Sequence, residues 1–366
     1  TGARRLRHRC FNRAGDHKLI RIDSFEVIPY ALPFRHPYVT ARGTIARREM
    51  VLLRIRTGEG VIGLGEGVPM SLRGGSSLAE VVSELESWGE RAASGKARMD
   101  GMSGPAGIAA ETALADAEAR RLGIPLHELL APGTRPEPVE CNATLTAGDP
   151  GDVLAQAERW AADGYSTFKL KLGAGDDVAQ VEAVRKGLGD GVGIRIDANE
   201  SWPPAEAGSR LAALEPFGIE LAEQPVQGLE AMAEIRSASA IPIVADEAVT
   251  CAEESAEAAR LGACDAVTVK LSKTGSLDAT LGGHLPTYLS SALDGPVGIA
   301  AAAHVAQTLP RSGAFTDLAH GLATSRLFSA NISLEGPCLD GPLLRLSGSP
   351  GLGVVIDEQA LNRHRL

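Results

Sequence analysis

Between Thr167 and Leu271 the chain reads TFKLKL (167–172), GIRID (193–197), IELAE (219–223), IVAD (243–246) and AVTVKL (266–271). Each is a short apolar run with a charge at or next to its C-terminal end: Lys171, Asp197, Glu223, Asp246 and Lys270. Successive charges are 26, 26, 23 and 24 residues apart, enough for one strand, one crossover helix and two loops. The stretches between them, among them 177–187, 205–214 and 255–262, carry helical periodicity. Runs at 139–144, 287–291 and 331–334 bring the strand count to eight. This alternation predicts an α/β fold with a closed parallel barrel, whose strand ends all open on one face. Five charges far apart in sequence therefore converge on one mouth.

Outward from the barrel, residues 22–66 alternate as strands and the segment 77–130 turns helical, with Leu78, Val81, Val82 and Leu85 on one helix face. The expected domains are an α+β unit over 20–130, joined by part of 340–366, and a barrel over 135–339. Residues 1–19 hold Arg4, Arg5, Arg7, Arg9, Arg13 and Lys18 without the apolar core of a secretory signal, and are expected to form a disordered basic arm. The formal charge of −10 on 366 residues disfavours nucleic acid and anionic membranes as partners. No apolar run approaches the ~18 residues of a membrane-spanning helix. Five scattered cysteines without a C-x-x-C pair give no disulfide framework or thiolate zinc site, and a reducing, cytoplasmic location is expected.

Asp197, Glu223 and Asp246 at one mouth would repel one another unless a cation neutralises them or their pKa values rise. Oxygen-only donors select a hard ion, Mg²⁺ or Mn²⁺. Asn199 and Glu247 adjoin two of these positions and either support the ligands or close loops. Lys169 and Lys171 are two apart on one strand and share a face, while Lys270 comes from the third strand beyond that of Asp197. Neighbouring lysines beside a dication should have lowered pKa values, leaving one neutral as a base. The alternative is a salt-bridge network in which lysines balance carboxylates.

The segments KLKLG (169–173), IRIDANESW (194–202), LAEQP (221–225), VADEA (244–248) and VKLSKTGSL (269–277) resemble the enolase superfamily, in its muconate-lactonizing-enzyme subgroup. GLGEGVP (63–69) and AAETALADAEARRLGIPLHELL (109–130) extend the likeness into the N-terminal unit. The resemblance implies a modified TIM barrel, (β/α)7β, under an N-terminal α+β capping domain. It implies Mg²⁺ on Asp197, Glu223 and Asp246, Lys171 and Lys270 as the acid/base pair, and Lys169 in support. The implied reaction removes a proton α to a carboxylate through an enediolate, and its substrate is a small carboxylate.

Within that family, YLSSALDGPVGIAAAAHV (288–305) and AHGLATSRLF (319–328) look most like o-succinylbenzoate synthases, which dehydrate a cyclohexadiene carboxylate in menaquinone synthesis. Ser290 and Ser291 would then bind the anionic end of the substrate, or else satisfy local backbone. Dipeptide epimerases, N-succinylamino acid racemases and cycloisomerases are the alternatives. An epimerase would place an Asp-x-Asp pair after the last strand; the stretch aligned there, Cys338-Leu339-Asp340, lacks the first acid, with Glu335 as a substitute. Arg42 and Arg73 are candidates to cover the mouth. A non-catalytic binding homologue has no support in the residues. The 21 residues from Lys270 to Ser291 are short for a full βα connection. The sequence leaves the oligomeric state open between a monomer and a homo-oligomer, and barrels of this kind are often symmetric assemblies.

Overall fold

The computed structural model describes residues 20–40, 43–71, 74–95, 99, 102–310 and 313–366. The basic arm 1–19 and both loop arginines, Arg42 and Arg73, lie outside the described residues.

The chain opens with a three-stranded antiparallel sheet, β1 (Ile22–Thr40), β2 (Gly43–Thr57) and β3 (Ile62–Gly67), in that order. Two long helices cover it, α1 (Leu78–Ala93) and α2 (Gly104–Leu122), and a short α3 (Leu126–Leu130) follows. Ser77 starts α1 with a capping box shared with Glu80, which satisfies two otherwise orphaned amides. The glycines of GLGEG explain why α2 lies so close to β3. A Cβ on Gly63, Gly65 or Gly67 would stand 2.0, 1.8 or 2.4 Å from the backbone oxygens of Ala113, Ala109 and Pro105. Glycine on one strand face and alanine on the helix bring the two backbones into contact.

A two-residue strand β4 (Val139–Glu140) leads to seven parallel strands in sequential order: β5 (Ala143–Leu145), β6 (Thr167–Lys171), β7 (Gly193–Asp197), β8 (Ile219–Glu223), β9 (Ile243–Ala245), β10 (Ala266–Val269) and β11 (Thr287–Leu289). The helices α4 (Pro150–Ala162), α5 (Asp177–Leu188), α6 (Pro204–Leu214), α7 (Leu229–Ala238) and α8 (Ala252–Leu261) connect β5 through β10. Between β10 and β11 there is only the single turn α9 (Leu271–Thr274) and a 3₁₀ turn at Leu281–Gly283. Leu277, Ala279 and Leu281 are buried there and belong to the main hydrophobic core.

The barrel closes at a place the sequence reading misassigned. Parallel bridges join Ser290 to Gly321 and Cys141 to His320, so His320–Gly321 takes the eighth position. The segment read as the eighth strand, 331–334, contributes instead to β12 (Ser333–Glu335), which pairs antiparallel with β15 (Val355–Ile356). Between them, β13 (Cys338–Asp340) and β14 (Leu343–Arg345) form a separate sheet with β4. Helix α10 (Pro296–Ala306) is apolar on every side and has nine buried residues, as expected of a helix packed all round. The last helix, α11 (Glu358–His364), returns to the N-terminal sheet, where Arg54 pairs with Glu358 at 2.5 Å and the Leu366 amide donates to Pro29 O. Among the described residues no helix is long and apolar enough to cross a membrane.

Candidate active site

Adjacent parallel strands in register set the mouth: Lys171 pairs with Asp197, and Asp197 with Glu223. Asp246 follows β9 directly and Lys270 follows β10. All five side chains are buried, the three carboxylates completely. In a barrel of eight positions β6 and β10 are four steps apart, so Lys171 and Lys270 approach from opposite walls.

The ammonium groups lie directly on the carboxylates. Lys169 Nζ is 2.6 Å from Glu223 Oε2 and 2.8 Å from Asp197 Oδ2. Lys171 Nζ donates to Asp197 Oδ2 at 2.5 Å and to Asn199 Oδ1 at 2.9 Å. Lys270 donates to Asp246 Oδ2 and stands 3.7 Å from Glu223 Oε1. Asn199 in turn donates from Nδ2 to Glu247 Oε1 at 3.0 Å, so the two flanking residues are tied together. Asn199 and Glu200 have φ of 47° and 63°, a strained backbone of the kind that collects at functional sites.

Burial opposes ionisation of Asp197, but Lys169, Lys171 and Lys270 together hold its pKa well below the ordinary carboxylate range. Burial, with Asp197 beside it, pushes Glu223 up. Burial also works against the charge on Lys169, yet Asp197 and Glu223 outweigh it and raise its pKa well above normal.

Three groups escaped the sequence reading. Lys273 donates to Asp246 Oδ1 at 2.8 Å, to Asp246 O and to Thr268 O at 3.1 Å; its signal was the repeated lysine in KLSK. Gln224 accepts the Asp246 and Ala248 amides at 2.8 and 3.1 Å, fixing the loop that carries Asp246. Tyr288 donates to Glu223 Oε2 at 3.0 Å; it stands on β11, far from the charged motifs, and had no local signal.

The cavity above this cluster is lined by Lys169, Lys171, Lys270 and Asn199 at the barrel end, and by Tyr38, Ile45, Arg48 and Met70 from the capping unit. Ser290, Ser291 and Thr324 line it as well, but no carboxylate does among the described residues. The serine pair divides. Ser291 Oγ donates to Asp294 Oδ2 and accepts the Asp294 amide, both at 2.8 Å, so its hydroxyl is spent locally. Ser290 lines the cavity and makes no side-chain hydrogen bond with the described residues. Cys338-Leu339-Asp340 is far from this role: it lies in the β13–β14–β4 sheet, with Asp340 exposed and paired to Arg345. Glu335 is exposed on β12. The segment that does close the barrel, His320-Gly321-Leu322-Ala323, carries no acid.

Residues 152–360 match the enolase C-terminal domain-like family model, and residues 24–131 match the mandelate racemase/muconate lactonizing enzyme N-terminal domain. The chain belongs to the enolase superfamily. Its fold is the superfamily's TIM-barrel-like domain with a capping domain, in the muconate-lactonizing subgroup. The muconate lactonizing enzyme from Pseudomonas fluorescens, solved with muconolactone, superposes with a TM-score of 0.86 at 30% identity, covering 95% of this chain and 100% of that one. The N-succinyl Arg/Lys racemase from Bacillus cereus gives 0.86 at 26%, over 95% and 98%. The dipeptide epimerase from Enterococcus faecalis, solved with Mg and the dipeptide L-Leu-L-Tyr, gives 0.82 at 27%, over 92% and 99%. This chain is accordingly an enzyme of that superfamily.

Enzymes of this subgroup use Mg²⁺, and the donor set fits that ion. Its donors are three buried carboxylates, and Glu223 Oε1 is buried without a hydrogen-bond partner. With the side chains turned onto lysines, no three acidic, His or Cys groups among the described residues form a ready-made cage. Fit therefore rests on donor chemistry and on the orphaned oxygen.

Proposed function

We propose that this enzyme removes the proton α to the carboxylate of a small anionic substrate that carries no ammonium group. The observation that carries the reading is the placement of Lys171 and Lys270 on opposite walls of a mouth floored by Asp197, Glu223 and Asp246. Those three residues would hold Mg²⁺, with Mn²⁺ as a substitute; when bound, the ion supplies the positive charge that makes such a proton acidic enough to leave.

The lysines supply the proton chemistry. Lys171 must give up its contact with Asp197 and lose a proton to act as base at Nζ. Lys270, on the far wall, stabilises developing charge as a cation or returns a proton to the opposite face. Lys169 stays protonated between Asp197 and Glu223 and stabilises negative charge. Asn199 and Glu247 keep Lys171 in place.

Dehydration to o-succinylbenzoate is the first reading, supported by SSALDGPVGIAAAAH (290–304) and by the cationic cavity. Its substrate is an anion without an amine. Racemisation of an N-succinyl amino acid is the second, favoured by the Bacillus cereus relative and by the two-sided lysines. A dipeptide substrate is disfavoured, because its ammonium group meets no acid among the described cavity residues.

The deciding experiment is a paired assay with Mg²⁺. One arm follows conversion of the cyclohexadiene precursor to o-succinylbenzoate; the other follows α-proton exchange in D₂O on N-succinyl amino acids and L-Ala dipeptides. Dehydration is the expected result. Exchange on N-succinyl amino acids alone moves the assignment to the racemase, and activity confined to dipeptides overturns the reading.

A further inference from the structure

The two oxygens of Glu223 are treated differently. Oε2 accepts the Tyr288 hydroxyl at 3.0 Å and the Lys169 ammonium at 2.6 Å. Oε1 is buried without a hydrogen-bond partner, with Lys270 Nζ 3.7 Å away. A carboxylate oxygen left unmet at that depth is costly unless something of opposite charge reaches it.

Tyr288 stands on β11 and Glu223 on β8, three positions apart in the sheet, so a long side chain is needed to bridge them across the barrel interior. Tyr288 is 2% exposed and packs with Leu221, Val244 and Ala266, from β8, β9 and β10. Arg195 of β7 places its guanidinium 5.5 Å from the ring centroid, within the range of a cation–π contact. Arg195 is itself fixed, by Glu220 at 2.7 Å and by donating to Ala319 O. Packing therefore holds the ring, and the ring delivers its hydroxyl to Glu223. Lys169 cannot do this alone, because it also serves Asp197 at 2.8 Å.

We propose that Tyr288 is a positioning residue that selects the ligating oxygen of Glu223: with Lys169 it takes Oε2, so that Glu223 offers Oε1 alone to the metal. The inference rests on the reading that Asp197, Glu223 and Asp246 hold Mg²⁺. One-oxygen ligation suits Mg²⁺, a small ion with a strict octahedral shell, whereas the larger Ca²⁺ accepts both oxygens of a carboxylate. Tyr288 thus favours the smaller ion without touching it. It is not among the residues that line the cavity, so a change there acts through Glu223.

The test uses the full chain stripped of metal by a chelator. Mn²⁺ affinity is read by electron paramagnetic resonance, and Mg²⁺ and Ca²⁺ affinities by displacement of Mn²⁺, in wild type, Tyr288→Phe and Tyr288→Leu. Tyr288→Phe keeps the ring and removes the donor. It should weaken Mg²⁺ binding by about tenfold or more and Ca²⁺ binding by less than about threefold, so that the preference for Mg²⁺ falls by about threefold or more. Tyr288→Leu should show the same fall in preference. Magnesium affinity within about twofold of wild type in Tyr288→Phe, or an equal loss for both ions, overturns the proposal. A fall confined to Tyr288→Leu also overturns it, because the packing of the ring would then matter and its hydroxyl would not. If wild type itself binds no Mn²⁺, the metal site fails and this role falls with it, a failure told apart from the others by its appearance in the unmutated protein.

Discussion

Glu66 Oε1 of the capping sheet accepts the backbone N–H of Gly295 at 2.6 Å, and its Oε2 accepts the Tyr30 hydroxyl at 2.8 Å. One buried carboxylate thereby ties β3 and β1 to the start of α10, the barrel helix that follows the cavity loop. A Cβ at Gly295 would stand 2.2 Å from the Tyr30 oxygen, so glycine there is what allows the approach.

Burial, then the charge of Asp294, raises the Glu66 pKa to about 7, while its hydrogen bonds pull the other way. A folded-state pKa above the unfolded one stabilises the protein below the unfolded value, and that contribution is lost as pH rises through the folded value. Glu66→Gln should therefore gain stability relative to wild type, by on the order of 2–3 kcal/mol, between about pH 5 and pH 8. Urea unfolding at both pH values measures it; a constant difference between the two proteins would contradict the assignment.

A second buried pair has the opposite sign. His304 Nε2 faces Leu352 O at 3.3 Å, an oxygen that can only accept, so the proton sits on Nε2 and Nδ1 accepts from His127 Nδ1 at 3.0 Å. Burial, then His127, lowers the His304 pKa to about 4. Its stabilising contribution is present above the unfolded value and lost as pH falls through the folded one. Wild type should lose on the order of 2–3 kcal/mol relative to His304→Gln between about pH 7 and about pH 4.5. Parallel pH profiles for the two proteins would show that His304 does not carry the effect.

The contact between β3 and α2 leaves no room for a side chain. Gly65→Ala should cost about 3 kcal/mol, because the new carbon overlaps Ala109 O. A denaturation midpoint within error of wild type would mean that the helix can move away freely.

The barrel mouth was legible because a parallel barrel converts regular spacing into spatial convergence. Lys171, Asp197, Glu223, Asp246 and Lys270 needed only the strand period to be placed together. The eighth position was not legible: His320–Gly321 joins the sheet through single bridges and has no apolar alternation, whereas Ile332-Ser333-Leu334 has a strand pattern but pairs with β15. Misplacing that strand also misplaced the search for an ammonium-binding acid, which fell on an exposed segment of another sheet. Ser290 and Ser291 are adjacent in sequence, and only packing shows that Asp294 takes one of them. Arg48 reaches the cavity from the other domain, so no local pattern announces it.

Lys273 holds Asp246 by both its side chain and its backbone oxygen. Asp246→Asn should lose magnesium affinity by about tenfold or more, since it removes a charged oxygen donor. A Mn²⁺ titration read by electron paramagnetic resonance gives the affinity without relying on turnover. An unchanged titration would place the ion elsewhere.

The most direct test of the central claim is α-proton exchange in D₂O by wild type, Lys171→Ala and Lys270→Ala, each checked for Mg²⁺ binding by calorimetry. The exchange substrate is whichever carboxylate proves active in the paired assay. The account predicts that both variants still bind Mg²⁺ and that turnover falls in each by about a thousandfold or more. Wild-type turnover in either variant would contradict the assignment of that lysine to the moving proton.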